Sequence, residues 1–369
     1  MYESIPDNPY LLLTPGPLST TKGVRAALLN DYCTWDDDYN LGVVQVVREK
    51  LVALASSRPA DYTCVLMQGS GSFGVEACLG TAVPRGGKVL ILSNGAYGAR
   101  MAREMDYIGR SYQLLAYPET TAPDPMDVER ALSEDPKLTH VAMIHCETTT
   151  GILNPIEAVA SIVKAHGKIF LVDAMSSFGG IPIDMAETGI DYLISSSNKC
   201  IQGVPGFSFV LARRSALLKC EGNAHSLCLD LYDQWREMDR GGKWRFTSPT
   251  HVVRAFLQAL AELAAEGGVP ARHARYTENQ RVLSEGMRAL GFRPLLDAAT
   301  QSPIITSFLY PNAGFDFRTF YEAVKREGFV LYPGKISQAA TFRIGNIGDV
   351  HVPDIERLLA VIAQIQKDS

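Results

Sequence analysis

The sequence is poor in the features that would fix its class at a glance. It has no internal repeat, no low-complexity segment and no apolar run near the roughly 20 residues that cross a bilayer. No membrane partner is therefore expected. Charge of either sign is nearly balanced, with a net of −5 over 369 residues. That gives no long-range field for nucleic acid or an anionic membrane, although a local basic pocket for a small anion stays compatible. The seven cysteines, Cys33, Cys64, Cys78, Cys146, Cys200, Cys220 and Cys228, are odd in number and scattered, with no C-x-x-C. Neither a disulfide framework nor structural zinc is expected. The histidines lack ligand spacing. His145-Cys146-Glu147 contains the H-x-E of zinc deaminases, but its P-C-x-x-C partner is missing, so no metal is expected. The first residues, Met-Tyr-Glu-Ser-Ile-Pro-Asp, lack the basic start of a secretory signal, and a cytoplasmic location is the expectation.

What is present is globular: 46% apolar and 20% charged residues, in a chain long enough for an ample core. Short apolar runs at 64–68, 88–93, 140–145, 168–173, 191–195 and 207–212 read as strands. Helical patterns at 74–81, 99–107, 155–166 and 185–189 lie between them. Buried strands alternating with helices predict an α/β fold, a mostly parallel central sheet flanked by helices. After about residue 249 come helices at 252–265 and 275–290, short strands at 304–310, 329–332 and 341–344, and a last helix at 353–366. We expect an N-terminal arm or crossover (1–20), a large domain (21–255) and a smaller C-terminal α+β domain (256–369).

Gly69-Ser70-Gly71-Ser72-Phe73-Gly74 follows a strand and opens a helix, the context of a dinucleotide fingerprint. The acid expected roughly 20 residues on is missing, since the next strand ends Ser93-Asn94-Gly95. A phosphate cradle of first-turn N–H groups and the Ser70 and Ser72 hydroxyls is the plainer functional reading, and a tight turn the purely structural one. Asp173 ends one apolar strand, and Asn198-Lys199 follows the next. Parallel strands share a direction, so carboxylate and amine open on one crevice. Each alone reads as a salt bridge or a solvated loop. Together with the glycine loop they match what pyridoxal 5′-phosphate needs: an amine for covalent attachment, an acid for the ring nitrogen and a cradle for the phosphate. Tyr97, after another strand end, is placed to stack on one ring face and Met175 to cover the other. Arg343 is a planar cation suited to carboxylate or phosphonate.

At these residues the chain resembles the fold-type I pyridoxal-phosphate enzymes of the aminotransferase class V group. The resemblance runs from Leu12-Leu13-Thr14-Pro15-Gly16-Pro17 to Phe342-Arg343-Ile344-Gly345-Asn346-Ile347-Gly348. Its most specific stretches are Asp173-Ala174-Met175-Ser176-Ser177-Phe178-Gly179-Gly180 and Ser197-Asn198-Lys199-Cys200-Ile201-Gln202-Gly203. Cys33-Thr34-Trp35-Asp36-Asp37-Asp38-Tyr39, with Leu229-Asp230-Leu231-Tyr232, points within the group to a 2-aminoethylphosphonate donor and pyruvate as acceptor. The resemblance implies that Lys199 bonds to the cofactor and Asp173 holds its ring nitrogen. It implies that Ser70, Gly71 and Ser72 bind the phosphate, Thr148 reaches the ring hydroxyl side, and Asn198 flanks the lysine. Thr247 would serve the phosphate of a neighbouring subunit in a homodimer, and Arg343, with Gly16 and Trp35, would face substrate. Alternatives are an alanine- or serine-glyoxylate type donor and acceptor, a cysteine desulfurase, a non-catalytic binding protein, and an NAD-dependent dehydrogenase built on residues 69–74.

Overall fold

The computed structural model describes residues 5–334, 336 and 339–368. The first four residues of the expected N-terminal arm lie outside that set. In chain order the strands are β1 (Leu11–Leu12), β2 (Tyr62–Gln68), β3 (Lys88–Ser93), β4 (Ser111–Ala116), β5 (Leu138–Ile144), β6 (Cys146–Glu147), β7 (Ile152–Leu153), β8 (Ile169–Asp173), β9 (Tyr192–Ser196) and β10 (Phe207–Arg213). They are followed by β11 (Ile305–Leu309), β12 (Phe329–Val330), β13 (Tyr332–Pro333) and β14 (Thr341–Gly345).

The central sheet has the order β2-β10-β9-β8-β5-β3-β4. Six of its strands run one way. Only β10 is reversed, antiparallel to both β2 and β9. The interior strands are near-continuously apolar because helices cover both faces, and this is what makes them legible in sequence. The edge strand β4 is half-exposed throughout, so its Ser-Tyr-Gln-Leu-Leu-Ala carries no such signal.

Helices start and stop at local signals. Helix Ala96–Ile108 ends at Gly109, whose φ of 71° is the left-handed turn that glycine adopts freely. Helix Leu231–Gly241 begins at Asp230, whose Oδ1 accepts from the Asp233 N–H at 3.0 Å. That cap is the structural work of one acid in the distinctive 229–232 stretch.

A large apolar cluster surrounds the central sheet, and a second, rich in phenylalanine, joins the β11-β14-β13 sheet to helices Gly268–Ala289, Phe317–Arg326 and Val352–Lys367. The N-terminal segment links the two. β1 pairs in parallel with β12 and Leu13 enters the second core. The chain then runs through Pro15 and Gly16 over the end of β9, and Thr21 caps helix Lys22–Ala26.

Candidate active site

β8 delivers Asp173, and the turn after β9 delivers Asn198 and Lys199. These two parallel strands are hydrogen-bonded to each other, so both ends open on the same side. There they line a cavity of about 220 Å3 with Ser70, Gly71, Ser72, Tyr97 and Met175. Eight of the expected residues thus converge on one space.

The turn at 69–74 has a separate physical reason for each glycine. Gly69 has a φ of 105°, which turns the chain from strand into helix. A Cβ on Gly71 would collide with the Met175 thioether, and one on Gly74 would lie 2.7 Å from Ser208 Oγ on β10. The third glycine therefore lets helix Gly71–Ala82 press on the sheet. Ser70 is the N-cap, yet its side chain makes no capping bond. Its hydroxyl and the N–H groups of Gly71 and Ser72 are available to an anion, while the Phe73 N–H already donates to the Ser70 carbonyl at 3.0 Å. Arg100 adds positive charge: its Nη1 donates to Ser72 Oγ at 2.7 Å, and its guanidinium stacks 5.0 Å from the Tyr97 ring centroid.

The amine of Lys199 donates to the carbonyls of Pro15 at 2.7 Å and Gly16 at 3.2 Å. Burial brings it down to about 8, so a minority is neutral near physiological pH, far more than for a solvated lysine. Gly16 has a φ of 102°, and a Cβ there would sit 2.7 Å from Lys199 Cδ. Only a glycine lets the crossover lie on the lysine. Asp173 is buried, and its Oδ1 accepts from the Met175 N–H at 2.8 Å. Burial pushes its carboxyl up to about 6, while the Lys199 and Arg100 charges act in the opposite direction without forming a salt bridge to it among the described residues.

Arg343, on β14, is buried; its Nε donates to the Pro333 carbonyl at 2.9 Å and its Nη1 to that of Thr148 at 2.7 Å. Its guanidinium also faces Tyr332. Thr148 is buried and meets Arg343 through its backbone, outside the cavity lining. Trp35 and Thr247 are not brought to the cavity of their own chain. Trp35 is 77% exposed, with Lys243 Nζ 3.9 Å from its ring centroid, and Thr247 is exposed.

Three groups escaped the sequence reading: Arg100, Glu104 and Glu147. Glu147 is fully buried. It accepts from the Tyr97 N–H at 3.1 Å and from Thr149 Oγ1 at 2.8 Å, which fixes the first turn of helix Ala96–Ile108, where Tyr97 sits. The H-x-E acid is thereby a structural acceptor, and His145, pushed down to about 4 by burial, bonds Ser177 Oγ. Among the described residues no cluster of three or more His, Cys, Asp or Glu is arranged to hold a metal. None of the described helices is long and apolar enough to cross a membrane.

The sequence pattern of the family described as aminotransferase class-V matches residues 44–343. The chain belongs to the class-V aminotransferases. Within that family it is 61% identical over 359 residues to a 2-aminoethylphosphonate–pyruvate transaminase of Bacteroides fragilis, covering 97% of this chain and 99% of the relative. A protein of the same name from Vibrio vulnificus is 60% identical over 357 residues, covering 96% and 97%. Among solved structures, pyridoxamine–pyruvate aminotransferase from Mesorhizobium loti superposes with a TM-score of 0.89 at 24% identity, over 98% of this chain and 93% of that one. Alanine–glyoxylate aminotransferase from Nostoc gives 0.88 at 22%, over 99% and 97%. At those identities the likeness shows the fold.

Class-V aminotransferases work with pyridoxal phosphate, and the residues of this cavity fit that group. An anion cradle, a neutralisable amine and an acid with no salt bridge among the described residues lie around one space of suitable size. The family assignment removes the dehydrogenase reading, and the missing acid has its structural counterpart: after β3, Asn94 bonds the Thr121 carbonyl and Asn154. A desulfurase would need a reactive thiol. Cys146 and Cys200 are buried, bonded to Ser302 Oγ and the Ser176 carbonyl, and pushed up to about 12 by burial, so neither forms a thiolate at neutral pH.

Proposed function

We propose that this class-V aminotransferase moves the amino group of 2-aminoethylphosphonate to pyruvate, giving phosphonoacetaldehyde and L-alanine. The observation that carries the reading is the convergence of Lys199, Asp173 and the 70–72 cradle on one cavity, in a chain about 60% identical to transaminases named for that reaction.

In this reading Ser70, Gly71 and Ser72 hold the cofactor phosphate, Tyr97 and Met175 enclose the ring, and Asp173 places its negative charge at the ring nitrogen. Lys199 Nζ is the point of covalent attachment. When bound, the cofactor supplies a carbonyl carbon that exchanges with amines and a ring that spreads charge from a breaking C–H bond. Displaced by the substrate amine, Lys199 is neutral often enough to act as base, because burial has lowered its basicity. It would take the proton from the carbon bearing nitrogen and deliver it, across the same face, to the carbonyl carbon that the cofactor supplies. The Pro15 and Gly16 carbonyls orient its amine. Arg343 grips the one group common to both cosubstrates, an oxyanion: phosphonate in one half-reaction, carboxylate in the other. The two halves alternate in one site, so kinetics are ping-pong.

The working unit in this reading is a cytoplasmic homodimer with Thr247 serving the partner's phosphate site. Large apolar side chains left exposed support an interface: Trp35 at 77%, Leu227 at 72% and Phe246 at 48%. Leu227 and Phe246 are tied together locally, since Arg245 stacks on Phe246 and donates to the Leu227 carbonyl. Sedimentation that gives a monomer at micromolar concentration removes the dimer. For the reaction, a donor screen with pyruvate that reads alanine should single out 2-aminoethylphosphonate. Turnover with alanine or serine and glyoxylate, and none with the phosphonate, would replace it.

A further inference from the structure

Helix Ala96–Ile108 buries Met101, Met105 and Ile108, and Glu104 sits in the same stripe. A carboxyl there needs a partner or a proton. Glu104 is 9% exposed, and its Oε2 is buried with no hydrogen-bond partner. The side chain lines the cofactor cavity beside Asp173 and Arg100. Burial pushes its carboxyl up to about 8. The Asp173 charge pushes the same way, Arg100 opposes, and Glu76 on helix Gly71–Ala82 adds a smaller push. Asp173 rises only to about 6. Of the two carboxyls, Glu104 is therefore the one that keeps its proton at neutral pH.

We propose that Glu104 is a positioning residue of the cofactor site: it holds a proton beside Asp173, confines the negative charge at that end of the cavity to Asp173, and supplies an O–H donor there. Two ionised carboxylates in so buried a space would repel each other and draw a proton onto Asp173, leaving it unable to hold a protonated ring nitrogen. The inference rests on the pyridoxal-phosphate reading. It adds a residue that does not react and acts through Asp173.

The variants Glu104→Gln and Glu104→Leu test it. The amide keeps the shape and a donor, and leucine keeps neither. The probe is pyridoxamine 5′-phosphate, which forms no covalent bond with a lysine, titrated into apoprotein by absorbance. At pH 6.5 Glu104→Gln should bind within three-fold of wild type, because both are neutral there. Glu104→Leu should bind at least five-fold more weakly than Glu104→Gln. At pH 9.5 wild type has lost the proton and should depart from Glu104→Gln by more than three-fold. Lys199 titrates over the same range in both proteins and cancels in the ratio.

Apoprotein stability gives a separate readout. The unfolded chain releases the Glu104 proton near 4.5 and the folded chain near 8, so this carboxyl's contribution to stability falls as pH rises through that window. Glu104→Gln has no proton to lose. Its Tm should exceed that of wild type by several degrees at pH 8, and the gap should close toward pH 4.5. A Glu104→Gln affinity more than three-fold off at pH 6.5 overturns the proposal, as does Glu104→Leu binding within five-fold of the amide. So does a ratio unchanged at pH 9.5, or the absence of a Tm gap at pH 8. Should Glu104→Leu fail to fold, the amide arms decide. If wild type binds no pyridoxamine phosphate at any pH, the cofactor reading falls, and the Tm comparison still judges the proton on Glu104.

Discussion

The two ends of the central sheet treat charge in opposite ways. Just before β9, Asp191 is buried with its partners supplied: Oδ1 accepts from Arg213 Nε at 2.8 Å and Oδ2 from the Phe170 N–H at 2.9 Å. Arg213 in turn stacks on Tyr62. At the opposite end of the same strands, Asp173, Glu104 and Lys199 form no ion pair among the described residues. A charge that serves the fold arrives with its counter-charge. A charge that serves chemistry is left for a ligand to complete, and the fold bears the desolvation until then.

The comparison can be broken most sharply at Lys199. Lys199→Ala should lower turnover by about 10,000-fold while leaving the apoprotein Tm at or above wild type, because a buried amine with no salt bridge is removed. A variant with substantial activity would take Lys199 out of the chemistry. Asp173→Asn should lower turnover by about 1,000-fold, again without loss of apoprotein stability. A Tm that falls by many degrees would put Asp173 with the structural charges. Arg343→Ala should raise the Michaelis constants for phosphonate and pyruvate together by about 10- to 100-fold, the worth of one charge-assisted pair. A change in neither removes it from the substrate site. The converse effect belongs to the paired end. Asp191→Ala should cost about 2–3 kcal/mol of stability in urea titrations and leave the Michaelis constants unchanged. The smallest effect is one of pH. Because burial lowers Lys199 to about 8, covalent uptake of pyridoxal phosphate by apoprotein, followed by absorbance, should speed up as pH rises through about 8. A midpoint near the ordinary lysine value of 10.5 would mean the amine is solvated.

The same contrast explains what could be read from sequence. β3, β5, β8 and β9 were legible because both faces are buried, and Asp173 and Lys199 stood out as polar residues ending apolar strands. Ser70 to Ser72 and Tyr97 were legible for the same reason, each lying just beyond a strand. The edge strand β4 was not, since half-exposure leaves it without an apolar run. Glu104 and Arg100 were missed because they lie within a helix, where charge is ordinary. The signal for Glu104 was its spacing, three residues after Met101 and four before Ile108, inside the buried stripe. Glu147 stands in an H-x-E triplet whose missing P-C-x-x-C partner argues against a metal, and nothing in its neighbours revealed that it reaches back to the first turn of helix Ala96–Ile108. An exposed tryptophan near an acid run carries no local mark of whether it faces a cavity, and in this chain it meets Lys243 instead.

The most direct test of the central claim is to reduce the pyridoxal-phosphate-loaded protein with borohydride and map the modified peptide by mass spectrometry. The account predicts one reduced adduct, on Lys199, and none in Lys199→Ala. An adduct fixed on any other lysine, or none at all, would contradict it.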